Sequence, residues 1–115
     1  MGEQTFFIIK PDAIKHGVVG QIFSRVERRG FVICDLNMMK ATKDLVTRYY
    51  EHLTDKPFVP LLVDYMTSGP IIVGILEGQE VNKYCQDMEG IVANVVNGSD
   101  SAEAAEREIG LWLGK

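Results

Sequence analysis

Cysteine and histidine are scarce in this sequence, which has two of each among 115 residues. Cys34 and Cys85 are too few for a disulfide framework or a clustered zinc site. Two isolated thiols are typical of a reducing cytoplasm, where we expect the protein. His16 and His52 fall on different predicted elements, with no partner at metal-ligand spacing. We therefore expect both at the surface, and no metal held by protein side chains.

The sequence also lacks a basic excess and a long apolar run. The net charge is −4 and the pI is about 5.1, so no overall positive field exists to attract nucleic acid or an anionic membrane. Arg25, Arg28 and Arg29 have acidic neighbours, and we interpret them as a solvated helix face. The longest apolar runs are far shorter than a membrane span, and the N-terminus does not read as a signal peptide. We expect neither nucleic acid nor a membrane as a partner.

What the sequence does contain is ordinary globular composition, with 46% apolar and 24% charged residues. A chain of this length is long enough for one domain with a hydrophobic core and too short for two domains. No internal repeat, low-complexity segment or linker divides it. We therefore expect one domain over residues 1–115.

Apolar patterning predicts strands interspersed with helices. β-branched and aromatic runs predict strands at residues 5–9, 31–39, 71–76 and 94–97. Apolar residues at helical spacing predict helices at residues 20–29, 42–52, 57–66, 80–88 and 101–113. Thr42 is the expected cap of one helix, Gly30 the expected stop of another, and Cys34 is expected in the core. The order predicts an α/β sandwich with about four strands, either parallel or of the split β-α-β type.

Four segments, taken in order, resemble a known family. They are Phe7-Ile8-Ile9-Lys10-Pro11-Asp12-Ala13 with Gly17-Val18-Val19-Gly20, Tyr49-Tyr50-Glu51-His52 with Lys56-Pro57-Phe58, Tyr65-Met66-Thr67-Ser68-Gly69-Pro70, and residues 94–101 continued through 103–112. Together they cover nearly the whole chain and resemble a nucleoside diphosphate kinase. The resemblance implies a ferredoxin-like fold, in which helices cover a four-stranded antiparallel sheet.

The resemblance also implies a reaction. Members of the family transfer the terminal phosphate of a nucleoside triphosphate to a nucleoside diphosphate through a phosphohistidine. Mg²⁺ is carried with the nucleotide phosphates. The implied ligands are therefore nucleoside di- and triphosphates, and the implied assembly is a homodimer or a higher homo-oligomer.

Several residues match the nucleotide-binding positions of the family. Lys10 matches a lysine that contacts the phosphates. Phe58 and Leu62 match the two apolar walls around the base, and Asn94 matches an asparagine near the ribose and phosphates.

The catalytic positions match less completely. Tyr50 matches a tyrosine that contacts the catalytic histidine, while Ser99 and Glu108 match the pair that orients it. Asn97, however, occupies the position of the histidine itself. A carboxamide nitrogen is not basic, so it can form hydrogen bonds but not a phosphoenzyme.

Two further departures affect phosphate binding. Gln86 stands where the family has an arginine, so a neutral amide replaces a forked cation. Between Gly90 and Ile91 the chain lacks a segment that, in the family, holds a threonine and an arginine in contact with the phosphates. Each lost charge-assisted contact costs roughly 1.5–3 kcal/mol.

Together, these departures predict weak or absent phosphoryl transfer, because loss of the nucleophile alone costs many orders of magnitude in rate. Weak nucleotide binding is still expected. Two alternatives remain open. One is a non-enzymatic subunit that binds nucleotide or a protein partner, and the other is an active kinase whose sequence is incomplete or misread.

Overall fold

The computed structural model describes residues 3–51, 57, 59–81, 96–98 and 101–114, with 96–98 described by their backbone. Its four strands are β1 (Glu3–Ile9), β2 (Val32–Met39), β3 (Ile71–Gly78) and β4 (Val96–Gly98). They form one sheet in the order β2-β3-β1-β4, and all neighbours are antiparallel. This is the ferredoxin-like arrangement. The antiparallel sheet is thus confirmed, and a parallel sheet is ruled out.

Five helices accompany these strands in the described residues. They are α1 (Pro11–Lys15), α2 (Val19–Arg28), α3 (Lys43–Tyr49), α4 (Val59–Met66) and α5 (Ala102–Leu113). Thr42 caps α3 as predicted, because its hydroxyl accepts a hydrogen bond from the Leu45 N–H at 3.1 Å. Gly30 follows α2 with φ +87°, which confirms it as the stop. Nearly all of the predicted helix at 80–88 lies outside the described residues. None of the described helices is long and apolar enough to cross a membrane.

The side chains of β1 alternate between two hydrophobic clusters, one on each face of the sheet. Phe6 and Ile8 belong to the first cluster, which α3, α4 and α5 cover. Phe7 and Ile9 belong to the second cluster, which α1 and α2 cover. Burial on both faces explains why residues 6–9 of β1 form a continuous apolar run in the sequence.

Aromatic rings form the centre of the first cluster. The Trp112 ring on α5 stacks on Phe6, with centroids 5.9 Å apart, and meets Tyr49 edge-on at 5.6 Å. Tyr49 in turn meets Tyr50 edge-on at 4.8 Å. These contacts attach α3 and α5 to the same face of β1.

A bulge interrupts β2 at Cys34. The register with β3 shifts between Ile33 and Asp35, which leaves Cys34 as the extra residue. The shift also exchanges the two faces of the strand. Ile33 packs on the second cluster, whereas Met39 packs on the first although both positions are odd-numbered. Cys34 is exposed, so the expectation of a core cysteine is wrong.

The β2 strand lies at an edge of the sheet and leaves apolar side chains exposed. Val32, Leu36 and Met38 retain 58%, 49% and 59% of their accessible surface. Leu36 and Met38 lie after the bulge and share one face of the strand, and we call these two residues the β2 apolar surface; Val32, before the bulge, lies on the opposite face. His16 and the three arginines of α2 and its end are exposed, as predicted.

Candidate nucleotide site

The candidate site lies at the end of the sheet where β1 finishes and β4 begins. Lys10 directly follows β1. In the antiparallel pair of β1 and β4, Ile8 is opposite Asn97 and Ile9 is opposite Val96. The structure therefore brings the backbone at Asn97 beside the end of the strand that presents Lys10, although the two residues are distant in sequence.

Lys10 occupies the bend between a buried strand and a short helix. Its backbone is extended (φ −73°, ψ 162°), as is favoured before a proline, and Pro11 begins α1. The Ala13 N–H donates to the Lys10 carbonyl oxygen at 3.1 Å and closes the turn. Lys10 is half-buried at this bend.

Tyr50 lies at the C-terminal end of α3 and is buried in the first cluster. Ile8, which is opposite Asn97, belongs to the same cluster. Tyr50 therefore lies on the face of the sheet to which Ile8 contributes.

Glu108 is a buried carboxylate on α5, with 6% of its surface exposed. Its Oε2 lies 3.9 Å from Nη2 of Arg107, a side chain that is about half exposed. Its helix neighbours Ile109 and Trp112 belong to the first cluster. Burial of a charged group is costly unless charged or hydrogen-bonding partners compensate for it.

Of the five remaining residues predicted for the site, the structure describes one. Leu62, on α4, is half-buried and packs against the first cluster. The other four lie outside the described residues: Phe58, Gln86, Asn94 and Ser99.

A contact between Tyr65 and Asp12 was missed by sequence reasoning. Burial raises the pKa of Tyr65 to about 12, and so do a hydrogen bond to the Asp12 carboxylate and the negative charge of that group. A hydrogen bond from the Asp12 backbone N–H acts in the opposite direction. Both residues belong to the segments that carry the resemblance, but nothing in the sequence indicated that they meet.

The described residues offer no cluster of three His, Cys, Asp or Glu side chains that could hold a metal ion. Two open surface grooves, of about 600 and 590 Å³, are lined by none of the predicted site residues. The candidate site is therefore defined by the end of the sheet and not by either groove.

Comparison with known proteins agrees with this architecture. The family model described as Nucleoside diphosphate kinase matches residues 3–93. The chain belongs to the nucleoside diphosphate kinase family. A nucleoside diphosphate kinase from Streptococcus agalactiae serotype V is 44% identical over 135 aligned positions, which cover 96% of this chain and 98% of the relative.

Solved structures of the family have the same fold. The nucleoside diphosphate kinase of Aquifex aeolicus superposes with a TM-score of 0.86 at 28% identity, covering 96% of this chain and 94% of the other. An NDP kinase from Pyrobaculum aerophilum gives a TM-score of 0.83 at 26% identity, with 97% and 96% covered.

The alignment with the streptococcal family member is longer than this chain, with 135 positions against 115 residues, so at least 20 positions have no residue here. A missing internal segment produces a difference of this kind. Its location between Gly90 and Ile91 lies outside the described residues and stays a prediction.

Proposed function

We propose that this chain is a nucleotide-binding member of the nucleoside diphosphate kinase family with impaired phosphoryl transfer. The observation that carries the proposal is Asn97 on β4, opposite Ile8 and beside the strand end that presents Lys10. The resemblance assigns a phosphate-accepting histidine to this position. An amide there leaves the site without its nucleophile.

Nucleotide binding would use what the chain retains. Leu62 lies on a helix packed against the first cluster, where it can form an apolar wall for a base together with Phe58. Lys10 and Asn94 would contact the phosphates. Mg²⁺ would arrive on the nucleotide, where it neutralises phosphate charge. With fewer cations than the family provides, we expect weak binding.

Tyr50 and Glu108 would keep a structural role although the histidine that they contact in the family is absent here. Tyr50 is buried in the first cluster, and Glu108 is buried on α5. A buried carboxylate remains available to orient an imidazole, so restoring a histidine at position 97 is a direct test of how much of the site is intact.

The test is phosphorylation of the protein by a terminally labelled nucleoside triphosphate with Mg²⁺. We expect no acid-labile label on the wild type and measurable label on Asn97→His. Asn97→Gln is the matched control, because it changes the side chain without adding a nucleophile, and it should stay unlabelled. Label on the wild type would overturn the proposal.

Failure of Asn97→His to accept label would indicate that the missing phosphate contacts, and not only the missing histidine, prevent phosphoryl transfer. The proposal of impaired phosphoryl transfer would then stand, and Gln86 and the missing segment would contribute to the impairment. Transfer of label from Asn97→His to a nucleoside diphosphate would show that the acceptor half of the reaction survives.

A second candidate is an active kinase whose sequence is incomplete or misread, with a longer natural chain and a histidine at position 97. The alignment positions without a residue here favour it. An intact mass above 12.9 kDa, together with label on the wild-type protein, would support this candidate over the first.

We also propose that the protein forms a homodimer or a higher homo-oligomer. The β2 apolar surface supports this proposal, because large apolar side chains clustered on an edge strand are typical of a contact surface. A protein partner of different sequence would be the alternative occupant. Light scattering of the pure protein separates the two, since only self-association raises its mass.

A further inference from the structure

The hydroxyl of Tyr65 connects two parts of the candidate site. Tyr65 lies in the last turn of α4, the helix that carries Leu62. Its hydrogen-bond partner, Asp12, lies in the first turn of α1, two residues after Lys10. One contact thus joins the helix assigned to the base and the segment assigned to the phosphates.

Other contacts hold the two ends of this connection in place. At the end of α4, the Ser68 hydroxyl donates to the Tyr65 carbonyl oxygen at 2.6 Å, and the Thr67 hydroxyl donates to the Val63 carbonyl oxygen at 2.8 Å. In the turn that follows, a Cβ added at Gly69 would lie 3.7 Å from the Cβ of Pro11. The end of α4 therefore rests against the start of α1.

We propose that Tyr65 is a positioning residue for nucleotide, and that its bond to Asp12 fixes the separation between Leu62 and Lys10. This inference rests on the proposed nucleotide-binding function. Binding of a base and a phosphate chain in one molecule requires both contacts at a fixed spacing, and an arrangement that already has that spacing loses less entropy on binding.

The spacing matters only to a ligand that bridges both contacts. Adenosine uses the base wall alone, and inorganic tripolyphosphate uses the phosphate contacts alone. Neither ligand senses the distance between α4 and Lys10. ADP with Mg²⁺ bridges the two, so its affinity should depend on the Tyr65–Asp12 bond in a way that the affinities of the two fragments do not.

The experiment compares wild type and Tyr65→Phe by isotope-edited NMR titration with these three ligands. We expect Tyr65→Phe to weaken ADP binding about tenfold, as loss of one hydrogen bond to a charged group would. Binding of adenosine and of tripolyphosphate should change less than about twofold. Equal weakening for all three ligands, or no change in ADP binding, would overturn the inference.

Thr67→Val is the matched control. It removes a hydrogen bond at the same end of α4 but does not touch Asp12. If Tyr65 acts through Asp12, Thr67→Val should retain wild-type affinity for ADP even where it lowers the melting temperature. An equal loss in Thr67→Val would show that general loosening of α4 causes the effect and would overturn the inference.

Combination with Asp12→Asn gives a second readout. If Tyr65 and Asp12 act only through their shared hydrogen bond, breaking it from either side has the same effect. The double variant should then bind ADP no less tightly than the single variant that binds ADP less tightly. Additive losses would contradict the connection. If the wild type binds none of the three ligands, the proposed function itself fails, an outcome distinct from a wild type that binds ADP and a Tyr65→Phe variant that binds it equally well.

Discussion

Strands β2 and β3 are hydrogen-bonded neighbours of eight residues each, but they are buried to different extents. The first six residues of β3 are all buried, whereas every residue of β2 is exposed or half-buried. The β3 strand has a neighbour on each side, while β2 has one. The difference shows that the position of a strand in the sheet, and not its apolar composition, decides how far it is buried. It also leaves the β2 apolar surface exposed, where it is available for contact with another molecule.

The largest effect should follow a change at Gly74, where the β3 backbone has no room for a side chain. A Cβ added at Gly74 on β3 would overlap the Asp35 carbonyl oxygen and lie 2.8 Å from the Phe7 ring. We expect Gly74→Val to destabilise the protein by more than about 4 kcal/mol, enough to prevent folding of many domains. Urea unfolding followed by circular dichroism would measure the change.

Gly110→Ala is the control for Gly74→Val. Nothing lies within 4 Å of a Cβ at this helical position on α5. Alanine should stabilise the protein by up to about 1 kcal/mol, since glycine is unfavourable within a helix. A normal urea midpoint for Gly74→Val would mean that β2 and β3 are less closely packed than the structure shows.

The next prediction compares the truncation of an apolar side chain to alanine on β3 and on β2. Ile71 on β3 is fully buried, and Met38 on β2 is more than half exposed. We expect Ile71→Ala to lower the free energy of unfolding by about 2–5 kcal/mol, and Met38→Ala by less than about 0.5 kcal/mol in the monomer. Equal losses at low protein concentration would contradict the difference in burial.

A smaller effect is expected on self-association. Leu36→Lys combined with Met38→Lys places two charges on the β2 apolar surface and should weaken an oligomer at least about tenfold, because burying unpaired charges is costly. Leu61→Lys is the control, since Leu61 is an exposed leucine on α4. Sedimentation velocity would measure both. A monomeric wild type at micromolar concentration would refute self-association altogether.

The smallest effect concerns the bulge residue. Although Cys34 is exposed, local desolvation and the charges of Glu77 and Asp35 raise the pKa of its thiol. Because the thiolate is the reactive form, alkylation by iodoacetamide should have its pH midpoint above that of the unfolded protein. Asp35→Asn should lower this midpoint, since it removes one negative charge.

The Cys34 measurement requires the Cys85→Ser background, so that one thiol reacts. Glu106→Gln is a control, because Glu106 does not contribute to the raised pKa. A folded midpoint at or below the unfolded one would show that exposure outweighs the neighbouring charges.

The parts of the fold that were predicted correctly are those with a local signal. The apolar runs of β1 and β3 and the cap and stop residues Thr42 and Gly30 suffice to locate their elements. Helix α1 was missed because five residues are too few for helical periodicity. The exposure of Cys34 was missed because a bulge and an edge position depend on strand pairing, which the sequence of one strand does not reveal.

The candidate site divides in a similar way. Lys10, Tyr50 and Glu108 could be named because each belongs to a recognisable segment, and their roles stay predictions. In the structure Lys10 follows β1, Tyr50 is buried in the first cluster and Glu108 is buried on α5. The contact of Tyr65 with Asp12 could not be named, since it joins two segments that are far apart in the chain. The side chain of Asn97 and the loop after Val81 lie outside what the structure describes.

Trp112 gives this protein a built-in optical probe. It is the one tryptophan of the chain, and its indole lies against Phe6 and Tyr49. Excitation at the red edge of the absorption band therefore reports on a single place, the contact of α5 with the sheet. Fluorescence from this indole would follow the docking of the C-terminal helix separately from the rest of the molecule, without a label.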